Sequence, residues 1–148
     1  VKDTNNLESH NIWSGTDYNI TTEGFITVDG MLINSSNKWC SNGEHSLSVI
    51  RISDEDYLLD TTRLRDVNVG DTINYKVTIY TPNTPVNVRI RGHYENLASA
   101  RVPPLNKPVE VSLSAIIPED YDYMCLRFLP MYSNAEFFID DIVSTVIS

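Results

Sequence analysis

From residue 24 onward the chain alternates apolar and polar residues with a period of two, and this pattern limits its fold more than any other feature. Between Thr72 and Thr81, Ile73, Tyr75, Val77 and Ile79 alternate with Thr72, Asn74, Lys76 and Thr78. In an extended chain that spacing puts every apolar side chain on one face and every polar one on the other. The same period runs through Val86 to Arg91, Val109 to Ser114 and Met124 to Phe128, and Ser46 to Ile52 adds another strand. Phe25 to Val28 and Met31 to Ile33 flank Asp29-Gly30, a pair suited to the positive φ angles of a two-residue turn, so the spacing predicts a hairpin there. Turn signals separate the runs at Asn42-Gly43, Val69-Gly70-Asp71, Pro82 to Pro85, Pro103-Pro104, Pro118-Glu119 and Pro130. The stretch Tyr57 to Val69 suits either a short helical turn or a strand, and is read as mostly extended. No stripe of period 3.6 competes, so about eight or nine strands are expected to form two packed antiparallel sheets, an all-β sandwich in a single domain spanning residues 1–148.

At 148 residues with 41% hydrophobic side chains, the chain can bury a core of its own. No apolar run approaches the 18 residues of a spanning helix, so no membrane insertion is expected. Val1 stands where an initiator methionine would, which suggests a piece of a larger polypeptide. Twenty acidic residues against eleven basic ones give a net charge of −9. That balance argues against nucleic acid, whose affinity for proteins comes largely from cations neutralising phosphates. Eight of the eleven basic residues follow residue 60. Cys40 and Cys125 allow one bridge at most, and small buried thiols are the alternative.

His10, His45 and His93 lie in separate segments, and no nucleophile elbow, zinc-protease or phosphate-loop pattern occurs, so no enzymatic activity is expected. Asp54-Glu55-Asp56 and Glu119-Asp120 read as solvated acidic turns. Asp140-Asp141 differs, because Phe137-Phe138-Ile139 precedes it and Ile142-Val143 follows it. Charge inside an apolar strand is costly unless it is paired. Two explanations stand side by side: a hard cation such as Ca²⁺ with its many oxygen ligands, or a local bulge that turns the carboxylates to solvent.

The order Gly43 to Val49, then Val69 to Tyr75, Val86 to Ile90 and Phe137 to Ile142 resembles the jelly-roll carbohydrate-binding modules appended to xylanases and β-glucanases. The resemblance covers about two thirds of the chain, from roughly Gly43 to Ile147. It implies a non-catalytic sandwich, with a glycan groove across one sheet and a structural Ca²⁺ near the chain ends. Under that resemblance Asp140 and Asp141 match the acidic position of the closing strand, Glu8 the acid of a short first strand at Asn6-Leu7-Glu8, and Glu44 a loop ligand. Tyr57 matches a stacking aromatic.

Sugar hydroxyls call for fixed polar partners, and sugar C–H faces stack on aromatic rings. Arg89, Arg91 and His93 are expected to line one face of the Val86 strand, opposite Val88 and Ile90, with Arg127 placed likewise and Glu110 on a neighbouring strand. Trp39 and Tyr94 lie at loop edges as candidate walls. The expected partners are a glycan or polysaccharide and other domains of a secreted or cell-surface parent. The competing reading is a structural or adhesion sandwich of a viral tail or spike, or of a cell-surface protein, with no sugar site.

Overall fold

The structure, a computed structural model, describes residues 2–3, 25–27, 31–36, 38–39, 46–52, 54, 58–61, 67–92 and 95–147, and the structural statements that follow concern these residues. They form a jelly-roll β-sandwich of two antiparallel sheets, and no helix occurs among them. One sheet holds β3 (Met31–Ser36), β4 (Ser46–Arg51), β11 (Glu136–Ile147), β6 (Thr72–Tyr80) and β9 (Val109–Ile116) in that spatial order, and β1 (Lys2–Asp3) adds to β11. The other holds β2 (Phe25–Thr27), β5 (Leu59–Thr61), β10 (Met124–Pro130), β7 (Val86–Gly92) and β8 (Asn96–Val102).

The period of two decides which side chains meet between the sheets. Leu47 and Val49 of β4, Ile73, Tyr75, Val77 and Ile79 of β6, and Phe137 and Ile139 of β11 face inward from the six-stranded sheet. Val86, Val88 and Ile90 of β7 and Met124, Leu126 and Phe128 of β10 meet them from the five-stranded sheet. Phe128 and Phe137 are fully buried, each contributing about 1.5–3 kcal/mol through loss of contact with water. The turn expected at Val69-Gly70-Asp71 is present. Gly70 takes φ 91°, the left-handed region that glycine occupies without steric cost. Its N–H donates to the Ile117 carbonyl at 2.9 Å, and the Asn68 N–H donates to Asp71 Oδ2 at 3.0 Å.

Three readings need correction or completion. The expected hairpin at 25–33 does not form: β2 pairs with β5 in one sheet and β3 with β4 in the other. Alternation fixes an extended conformation and leaves the strand's partner open. The second concerns β8, which no run above anticipated. Its inward residues include Ala98 and Ala100, too small to give a strong apolar signal. The third is the first strand: Asn6-Leu7-Glu8 lies outside the described residues, and the strand seen ahead of β2 is Lys2–Asp3.

Candidate functional site

Because β10 lies between β5 and β7, their outward residues fall into rows on the face turned away from the core. Register places Arg127 of β10 directly opposite Arg89 of β7 on one side and Asp60 of β5 on the other. Arg91 lies opposite Cys125, and Arg101 of β8 lies opposite Asn87. The structure therefore brings Arg89, Arg91 and Arg127 to one face, and that alternation was legible in the sequence.

The arginines are held differently. Arg127 makes a two-pronged pair with Asp60, Nε to Oδ1 at 2.7 Å and Nη2 to Oδ2 at 2.9 Å. Asp60 is only 2% exposed and the Arg127 side chain 17%. Hydrogen bonding to the Asp60 carboxylate raises the Arg127 guanidinium above its ordinary value, although burial pulls the other way. From the core side, Thr61 Oγ1 accepts the Leu126 N–H at 2.9 Å. Burial, reinforced by Cys125 and Asp60, pushes the Tyr75 phenol well above its usual value, while Thr61 acts to lower it. Arg91 donates from Nη1 to Asn96 Oδ1 at 2.9 Å, while its Nε is buried with no hydrogen-bond acceptor among the described residues. A register shift between Ile90 and Arg91 marks a bulge at this point. Arg89 is half-buried, and Arg101 is exposed.

The remaining candidates do not join this row. Trp39 lies on the outer face of the opposite sheet, its ring 5.3 Å from that of Tyr80 and 6.3 Å from that of Phe138. Ser46 Oγ donates to the Trp39 carbonyl at 2.5 Å. Glu110 is also on that opposite face, in register with Thr78, and pairs with Lys76 at 3.4 Å. A depression of about 340 Å³ on the same six-stranded sheet is lined by Asn74, Lys76, Ser112, Ser114, Val143 and Thr145. Ser114 donates to Asn74 there, so polar groups of the depression partly satisfy each other. Tyr57, His93 and Tyr94 lie outside the described residues. Asp60 and Arg101 were not anticipated. An acid between Leu59 and Thr61 was the available signal for Asp60, the same kind of interruption that singled out Asp140-Asp141.

For the metal, Asp140 is fully buried on β11, and its Oδ1 accepts the Asp141 N–H at 2.9 Å. Asp141 takes φ 51° within a bulge between Asp140 and Val143. Glu8 and Glu44 lie outside the described residues. Among the described residues no three His, Cys, Asp or Glu side chains converge as metal ligands. Two adjacent carboxylates fall short of the six to eight oxygens that Ca²⁺ takes. The described residues therefore do not by themselves fit the ion.

No sequence-family model matches the chain, and no curated protein matches it. Solved structures do match in fold. The C-terminal family 22 carbohydrate-binding module of Clostridium thermocellum Xyn10B superposes with a TM-score of 0.68 at 17% identity, covering 85% of this chain and 87% of that one. The tandem CBM22-1-CBM22-2 domain of Paenibacillus barcinonensis Xyn10C gives 0.70 at 15% identity, over 100% of this chain and 47% of that one. The enzymatically active domain of tailspike protein 4 from bacteriophage CBA120 gives 0.62 at 11% identity, over 84% of this chain and 19% of that one.

Proposed function

We propose that the chain is a non-catalytic carbohydrate-binding module that takes a glycan along the outer face of its five-stranded sheet. The observation that carries this reading is the registered row of Arg89, Arg91 and Arg127, polar groups fixed by β7 and β10 on the fold that xylanase-appended modules share. Rigid strands hold such groups at low entropic cost, and guanidinium groups give sugar hydroxyls several donors at once. The partners are then a polysaccharide and the other domains of a secreted or cell-surface polypeptide, as the tandem arrangement of the Paenibacillus neighbour supports. With a handful of hydrogen bonds set against a glycan's ordering entropy, affinity should be micromolar to millimolar.

Calorimetric titration with xylan, mixed-linkage β-glucan and an acidic polysaccharide tests the reading. At least one ligand should bind, and Arg89→Ala should remove the signal without lowering the melting temperature. The second reading is a structural or adhesion sandwich with no sugar site, since the same fold also occurs within a phage tailspike protein. Silence across the panel at millimolar ligand would decide for it. A brace of Ca²⁺ on Asp140 and Asp141, completed by Glu8 and Glu44, belongs to the proposal too. Chelation should then lower the melting temperature, and Asp140→Asn should abolish that sensitivity; equal melting with and without chelator removes the ion from the account.

A further inference from the structure

Four arginines stand on the outer face of the five-stranded sheet, Arg89 and Arg91 on β7, Arg101 on β8 and Arg127 on β10. Among the described side chains of that face the one acid is Asp60, and Arg127 holds both of its oxygens. Neither the Arg89 nor the Arg101 side chain makes a hydrogen bond or ion pair among the described residues. Among the described residues the face thus carries a surplus of guanidinium charge, on a molecule whose net charge is −9. Like charges directly opposite one another across a strand pair are destabilising. Arg89 and Arg127 are such a pair, and Asp60 balances only its Arg127 half. A surplus of this kind is the footprint of an anionic ligand.

We infer that this face takes an acidic polysaccharide, whose uronate carboxylates pair with Arg89 and Arg101. The inference rests on the glycan-binding reading and narrows its substrate class. The Arg127–Asp60 pair supplies the geometric precedent: a planar carboxylate meets a planar guanidinium fork through two parallel hydrogen bonds on this same face. A uronate of the ligand gives Arg89 the partner that Asp60 gives its neighbour. Arg101 lies one diagonal step away, opposite Asn87, so it meets a different part of the same chain.

The test is affinity electrophoresis and calorimetry with polygalacturonate and glucuronoxylan, each before and after carboxyl reduction, beside neutral β-glucan, dextran sulfate and duplex DNA. The acidic polymers should bind, lose about tenfold or more in affinity on carboxyl reduction, and weaken as salt rises. Arg89→Gln and Arg101→Gln should each weaken the acidic polymers by roughly three- to tenfold, the range of a partly solvated charge pair, with the melting temperature held. Lys76→Gln, on the opposite sheet, should change nothing. Equal binding before and after reduction overturns the charge assignment and leaves the glycan-binding reading standing. Dextran sulfate or DNA binding as tightly as the uronates overturns it as well, in favour of general anion binding. Failure of every polymer to bind removes both readings together.

Discussion

Asp60 and Arg127 form a buried ion pair whose worth depends on both members being present. Asp60→Asn leaves a largely buried guanidinium without its counter-charge, and should cost about 3 kcal/mol in urea unfolding. The double variant Asp60→Leu with Arg127→Met should recover most of that loss, because removing both charges also removes their desolvation penalty. A double variant no better than the single one would contradict this account. Two phenols set an alkaline limit. Burial first, then the carboxylates of Glu95 and Glu119, push the Tyr121 phenol from 10.0 up to about 12, and burial lifts Tyr75 well above 10.0. Unfolded tyrosines ionise near pH 10 while the folded ones stay neutral, so the stability they contribute is whole below pH 10 and is lost as the pH rises toward 12. Melting temperatures measured from pH 9 to 12 should fall across that window, and Tyr121→Phe should soften the fall. At this scale the arginine row was legible because alternation alone sets the face a strand residue occupies. Asp60 was not, because its partner is 67 residues away and only register reveals it. Trp39 was misplaced beside the arginines because loop residues carry no period from which a sheet can be read.

Among the elements, β11 carries the feature with the clearest backbone signature. Its register shifts between Asp140 and Val143, and Asp141 sits at φ 51°, a region that short polar residues and glycine tolerate and β-branched ones resist. The extra residue lets Ile139 and Ile142 both face the core with Asp140-Asp141 between them. Asp141→Asn should therefore unfold within about 0.5 kcal/mol of the parent, whereas Asp141→Val should lose about 1–2 kcal/mol, the cost of a left-handed conformation in a branched residue. Equal stabilities in denaturant titration would show that the bulge relaxes freely. A bulge was one of the two explanations open in the sequence, but that explanation turned both carboxylates to solvent, whereas Asp140 is fully buried. The partition of β2 and β3 between sheets was not open to it, since two short apolar runs around Asp29-Gly30 satisfy a hairpin and a crossing equally well. Strand β8 was hidden for a different reason, its alanines leaving the period-two signal weak.

Over the whole molecule, strands adjacent in space are remote in sequence: β4 pairs with β11 and β5 with β10. The chain passes repeatedly between the two sheets, so alternation could announce a sandwich without disclosing its strand order. The last strand lies at the centre of its sheet, between β4 and β6, and carries β1 beside it with Lys2 opposite Val146 and Asp3 opposite Thr145. This antiparallel register brings residue 2 and residue 147 to the same end of the strand pair. Mechanically, a load applied through those two points peels the β1–β11 contact open one hydrogen bond after another, where a load along the strands would have to shear all of them at once. In single-molecule pulling, a small extension at low force should precede rupture of the sandwich, and a molecule lacking β1 should lose that first step alone. In the proposed binding mode, a polymer across the five-stranded sheet would lie on the opposite side of the sandwich from this peeling line, so tension applied at residues 2 and 147 would reach the grip on the ligand only after β1 has given way.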